Sequence, residues 1–141
     1  MDERDKAIIS YLVDHGNAST RDISEATDIP VSTVHQRKAQ LEDKGVIESY
    51  TIDADWEAVG YGFHATVLMT VDLSQLRRQG LQQDDLVEAL REISAVEEAR
   101  IVTGAYDVLI SVRAHDKDSF NDVLQGEVQQ LTGVSDTTTL I

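Results

Sequence analysis

The stretch 30-PVSTVHQRKAQLEDKGVI-47 decides how this chain is read. Val34 and Leu41 stand about two helical turns apart, so both fall on one face of a helix. Pro30 suits a first helical position, where its missing N–H needs no partner. Gly45 suits the stop, because glycine accepts the left-handed conformation that commonly ends a helix. The pattern therefore predicts a helix from Pro30 to about Lys44, with Ser32, Thr33, His35, Gln36 and Arg37 near its exposed N-terminal side. From Ile29 to Leu41 there is no acid, in a chain with twelve Lys and Arg against twenty-six Asp and Glu and a formal charge of −14.

Upstream, Ile8, Ile9, Leu12 and Val13 recur at helical spacing within residues 2–15. Asp2 with Asp5 can cap that helix, and Gly16 can end it. The tetrapeptide 19-STRD-22 has the form of a capping box and opens a short helix with Ile23 and Ala26 inward. It is interrupted at 27-TDIP-30. Downstream, 46-VIESYTID-53 favours a strand. Three helices and a strand, with a tight turn before the third helix, make a winged helix-turn-helix. The N-terminal part of its second helix enters the major groove of DNA. Arg can there bridge guanine O6 and N7, Gln can pair with adenine N6 and N7, and Ser or Thr can hold phosphates. Acids would be repelled from that face, so their absence is the expected sign of a DNA surface, although a run of thirteen residues without an acid also arises by chance in roughly one case in fourteen.

Beyond a short connector at 54–61, Phe63, Ala65, Val67, Met69, Val71 and Leu73 alternate with mostly polar residues, as in a half-buried strand. Leu86, Val87, Leu90 and Ile93 trace a helix. Strands at 97–103 and 105–113 follow, the latter with Tyr106, Val108, Ile110 and Val112 on one face. Phe120, Val123, Leu124, Val128 and Leu131 mark another helix, which Gly126 weakens by about 1 kcal/mol relative to alanine. A Thr-rich strand at 134–141 closes the chain. The order βαββαβ is the ferredoxin-like arrangement. The fold class is thus α+β: a winged helix-turn-helix domain at 1–53, a linker at 54–61 and a ferredoxin-like domain at 62–141. Helices on one face of such a sheet leave the other needing cover, which a homodimer formed sheet to sheet would supply.

Composition narrows the function. There is no cysteine, so disulfides and thiolate metal sites are excluded. The N-terminus has no basic region followed by an apolar run, and no stretch approaches the ~18 apolar residues of a membrane helix. The chain reads as cytoplasmic. The four histidines (His15, His35, His64, His115) are scattered without ligand spacing, and no nucleophile or phosphate-loop motif is present. No catalytic residue, metal or cofactor is expected. Ten acids and six bases lie in residues 1–50, leaving sixteen and six for the rest. So acidic a surface suits a salt-rich cytoplasm, or an ordinary acidic protein. It also keeps a rival open: a ligand-sensing or protein-interaction module that does not bind DNA.

The segments 2-DERDKAIISYL-12 and 20-TRDISEATDIPVSTVHQRKAQLEDKGVIESYTID-53, with 103-TGAYDVLISV-112, resemble the Lrp/AsnC (feast/famine) transcriptional regulators across essentially the whole chain. The acidity resembles that of proteins from salt-loving archaea. The resemblance implies a regulator that binds double-stranded promoter DNA and responds to an amino acid. It places Ser32, Thr33, His35, Gln36 and Arg37 on the recognition helix, and Thr103, Gly104, Tyr106 and Asp107 on a turn lining the effector site. It also implies a homodimer that assembles further. Two positions depart from the family's pattern. Pro30 stands where a serine cap is usual. Lys38 stands where an aliphatic residue is usual, and its stem can pack while its ammonium reaches a phosphate.

Overall fold

The protein is described by a computed structural model covering residues 1–141, in which two compact units, Met1–Ala54 and Asp55–Ile141, are distinct. In the first, α1 (Glu3–Asp14), α2 (Thr20–Thr27) and α3 (Val31–Asp43) enclose a small core of Ile8, Leu12, Ile23, Ile29, Val34 and Leu41. Both sequence-predicted capping boxes form: Asp2 with Asp5 opens α1, and Ser19 with Asp22 opens α2. Each box satisfies N–H groups that the first helical turn leaves without partners.

The turn between α2 and α3 is built locally. Asp28 takes the left-handed conformation with φ 55°, and the Ser24 hydroxyl donates to the Ile29 carbonyl at 2.5 Å. Pro30 sits at the start of α3 with no side-chain cap. Gly45, at φ 73°, reverses the chain so that the Val46 and Ile47 N–H groups both donate to the Leu41 carbonyl. Three expectations need correction. Ala26 is exposed and Ile29 takes the inward place; Val13 is 79% exposed; and 46–53 forms no strand, having no strand beside it in this unit to pair with.

The second unit carries β1 (Phe63–Val71), α4 (Leu73–Arg78), α5 (Gln83–Arg91), β2 (Val96–Ile101), β3 (Val108–Ala114), α6 (Lys117–Val123) and β4 (Val134–Leu140). The sheet order is β2-β3-β1-β4 with every neighbour antiparallel, the ferredoxin-like topology. Ala65, Val67 and Met69 of β1 and Val108, Ile110 and Val112 of β3 face the helices. They pack there with Leu76, Leu86, Leu90, Phe120 and Val128.

The short helix α4 was not anticipated: the alternation ends at Val71, and Asp72 caps the new helix through the Gln75 N–H. Strand β3 begins at Val108, so Tyr106 lies in a turn and not on the strand. Gly126 falls within a π-helical turn, Leu124–Val128, that continues α6. Residues 55–62 pack on this unit: Tyr61 stacks on His115 at 4.1 Å between ring centroids, and the Arg113 guanidinium lies 5.5 Å over the Trp56 ring.

Candidate nucleic-acid interface and effector turn

On α3, Ser32, His35 and Gln36 are exposed, and Thr33 is half-buried beside them. Gln40 is exposed as well. One turn beyond Gln36, it belongs to the same face, as i, i+4 spacing alone could have shown. No acid stands on this face before Glu42.

Arg37 and Lys38 are directed differently. Arg37 is half-buried and turned to the start of α1: its Nη1 donates to Asp2 Oδ2 at 2.5 Å and lies 3.3 Å from both Asp5 carboxylate oxygens. Lys38 is half-buried too, with its Nζ 5.2 Å from the centroid of the Tyr50 ring, a cation–π contact. Tyr50 in turn donates its hydroxyl to Glu42 at 2.6 Å, and partial burial followed by that carboxylate pushes its pKa up to about 12.

The Asp5 N–H, and then the Arg37 guanidinium, hold the Asp2 carboxyl down at about 2. A lowered folded-state pKa stabilises the native state above the ordinary value of 3.8, and that contribution is lost as pH falls through about 2. Asp2→Asn keeps a capping side chain but removes the charge. Circular dichroism of an acid titration should show a shallower stability loss between about pH 4 and pH 2 for this variant than for the parent.

In the second unit, residues 102–107 join β2 to β3. Thr103 and Gly104 form the exposed tip, and Tyr106 and Asp107 the half-buried base. Gly104 has φ 119°, a conformation that L side chains rarely adopt. Asp107 is the clip. Its N–H donates to the Met69 carbonyl at 2.9 Å, its carbonyl accepts from the Val102 N–H at 2.9 Å, and its Oδ2 accepts from the Val71 N–H at 2.8 Å. The last of these satisfies a donor that the irregularity between Met69 and Val71 in the β1–β4 pairing would leave free. Its Oδ1 stays unengaged. Tyr106 reaches across the open sheet face, its hydroxyl donating to Thr138 Oγ1 at 3.4 Å.

Gln83 was not foreseen. Its Nε2 donates to the Asp107 carbonyl at 3.2 Å, tying the start of α5 to the turn across 24 positions of sequence. A concavity of about 580 Å³ involves neither site: it lies between α1 and residues 46–53 on the first unit.

The profile described as winged helix-turn-helix DNA-binding matches residues 1–48, the three helices and their turn. The profile of the Lrp/AsnC ligand binding domain matches residues 66–141, more than half of the chain. The chain belongs to the Lrp/AsnC family. The HTH-type transcriptional regulator FL11 of Pyrococcus horikoshii is 31% identical over 141 residues, covering all of this chain and 88% of FL11. Among solved structures, the leucine response regulatory protein LrpA of Mycobacterium tuberculosis superposes with a TM-score of 0.82 at 26% identity, covering 100% of this chain and 92% of that one. A Neisseria meningitidis transcriptional regulator, solved as an L-Met complex, shares the fold with a TM-score of 0.85 at 23% identity, covering 99% and 88%. This Lrp/AsnC protein is accordingly a DNA-binding transcriptional regulator with a ligand-binding second domain, and its family is one of regulators, not enzymes. No helix of it is long and apolar enough to cross a membrane.

Proposed function

We propose that this regulator reads promoter DNA through the exposed face of α3 and adjusts that reading to an amino acid held at the 103–107 turn. The observation that carries the first half is an acid-free face in a chain of charge −14, with Ser32, His35, Gln36 and Gln40 exposed on it and Thr33 at its edge. Gln36 and His35 read base edges, and Ser32 and Thr33 hold phosphates. Arg37, already spanning Asp2 and Asp5, positions α3 against α1, and Lys38 adds positive charge to the flank. Gln36→Ala should lower affinity for a selected site about tenfold or more while leaving random-sequence binding nearly unchanged, measured by fluorescence anisotropy. Equal loss on both DNAs would remove Gln36 from base reading.

The second half rests on the Gly104 tip and on the unengaged Asp107 Oδ1, which suits an ammonium group. The L-Met carried by the Neisseria structure supports an amino acid as the ligand class. The protein works in the cytoplasm as a homodimer, and dimers assemble further. The support for pairing is the open sheet face: Leu68 and Leu109 are half-buried there, and Leu140 is 53% exposed. A charged cluster stands on the same sheet, with Glu97 accepting from Arg113 at 2.6 Å and standing 3.4 Å from His64.

The charge pattern bears on how salt affects binding. Arg4, Arg21 and Lys44 are the exposed bases of the first unit that pair with no acid. With the half-buried Lys38 counted, each protomer neutralises at most about four phosphates, so log Kd should rise by no more than about four per protomer for each tenfold increase in KCl. Steeper salt dependence would mean phosphate contacts beyond those this surface offers.

A further inference from the structure

Within α3 stand one arginine and one lysine, Arg37 and Lys38, and Asp2 with Asp5 occupies the arginine. Helical spacing offers Lys38 an acid as well. Glu42 stands four residues on, the separation at which two side chains lie one above the other. Yet no ion pair joins them. The Glu42 carboxylate instead accepts the Tyr50 hydroxyl at 2.6 Å, and the Lys38 Nζ lies 5.2 Å from the centroid of the same ring. One phenol holds the carboxylate at its hydroxyl and the ammonium over its face.

Tyr50 is set there by the chain that leads to it. Gly45 reverses the backbone, the Val46 and Ile47 N–H groups both donate to the Leu41 carbonyl, and Ile47 packs against the core of Ile8, Leu12 and Leu41. Three residues on, Tyr50 is thereby brought back against α3. The arrangement decides what charge the flank of that helix shows. A lysine paired with a glutamate adds no net charge to a DNA-binding surface. An ammonium on an aromatic face keeps its charge, and its N–H donors stay open to a phosphate. The phenol keeps its proton, and so its hold on Glu42, because partial burial and then that carboxylate push its pKa up to about 12.

We propose that Tyr50 is a positioning residue for DNA binding: it holds Glu42 off Lys38 and so leaves the Lys38 ammonium to neutralise a phosphate beside the reading face. The inference rests on the reading of α3 as the helix that meets DNA, and adds to it a residue outside that helix. A phosphate contact carries no base information, so it acts alike on selected and random DNA.

Fluorescence anisotropy of the full-length protein over a KCl series tests this on both DNAs, with Lys38→Met, Tyr50→Phe and the double variant Tyr50→Phe with Glu42→Gln. Tyr50 is 48% exposed and phenylalanine retains its ring, so the fold is kept. Lys38→Met should lower the slope of log Kd against log [KCl] by about one per protomer on both DNAs. Tyr50→Phe frees Glu42 to pair with Lys38, so it should lower the slope by a similar amount and weaken binding about five- to tenfold at ~0.1 M KCl. Adding Glu42→Gln to Tyr50→Phe should restore the slope, which the loss of a merely structural contact would not allow. An unchanged slope for Lys38→Met or Tyr50→Phe, or a lost slope that Glu42→Gln fails to restore, overturns the inference. Gln36→Ala, measured alongside, separates the two readings. A loss confined to the selected site keeps α3 as the reading helix whatever Tyr50 does, whereas no loss strikes down the α3 reading and this inference together.

Discussion

Ile8→Ala is expected to unfold the first unit and abolish DNA binding while the second unit still melts as before. Ile8 is wholly buried at the centre of a core that contains only five other buried side chains, of which Ile23 and Val34 are wholly buried too. Truncating a buried isoleucine to alanine costs about 2–5 kcal/mol, through lost burial and the cavity left behind. A unit this small has only about 3–5 kcal/mol to lose. The second core, built on Val67, Ile110 and Leu90, shares no residue with the first. Hydrogen exchange read by mass spectrometry should thus show protection lost in α1–α3 and kept in β1 and β3. Loss of protection in both at once would mean the two cores fold as one.

Gly133→Ala should be the most damaging glycine substitution. Gly133 has φ 96°, and a Cβ there would stand 2.7 Å from Cγ and Cδ2 of Leu76, itself only 1% exposed. The Gly133 N–H donates to Gln75 Oε1 at 2.9 Å and its carbonyl accepts from Asp72 at 2.8 Å, so the backbone is held on both sides of the clash. The left-handed conformation costs about 1–2 kcal/mol for an L side chain, and displacing Leu76 within a packed core about 1–3 more. A loss of about 2–5 kcal/mol lowers Tm by at least about 8 °C in a unit of this size. Gly126→Ala is the control. Its Cβ meets nothing within 4 Å and its φ is not positive, so it should be neutral or raise stability by up to about 1 kcal/mol. Equal effects of the two would show that steric fit at Leu76 does not set the outcome.

What could be read from the sequence was what is encoded locally. Asp2 with Asp5 and Ser19 with Asp22 are capping pairs three residues apart, and both formed. The alternation of Ala65, Val67 and Met69 lies within one strand, and all three face the core. What escaped depends on distant partners. Spacing puts Arg37 beside Gln36 on α3, and it gives no sign that Asp2, 35 positions away, engages the guanidinium. Periodicity cannot show that, because it gives the face of a helix and not the neighbour that draws a long side chain aside. Residues 46–53 have strand composition, yet a strand exists only where another lies alongside to share its hydrogen bonds. Tyr106 continues the alternation of β3 by count, but Gly104 and the Asp107 clip bend the chain before the ladder begins. Of the α3 face, the charge gap and the exposure of Ser32, His35 and Gln36 were legible from composition and spacing. The tie between Gln83 and the 103–107 turn was not, since it is made only through tertiary folding.

The most direct test of the regulator reading is selection of genomic fragments by the purified protein in molar KCl, with and without a pool of the twenty amino acids, followed by sequencing. A double variant, Thr33→Ala with Gln36→Ala, serves as the control because it leaves the Arg37 ion pairs in place. The account predicts enrichment of a few near-palindromic promoter sites, absent with the variant and altered by the amino-acid pool. Recovery by the parent protein no better than by the variant would contradict it, and α3 would then not be the surface that reads DNA.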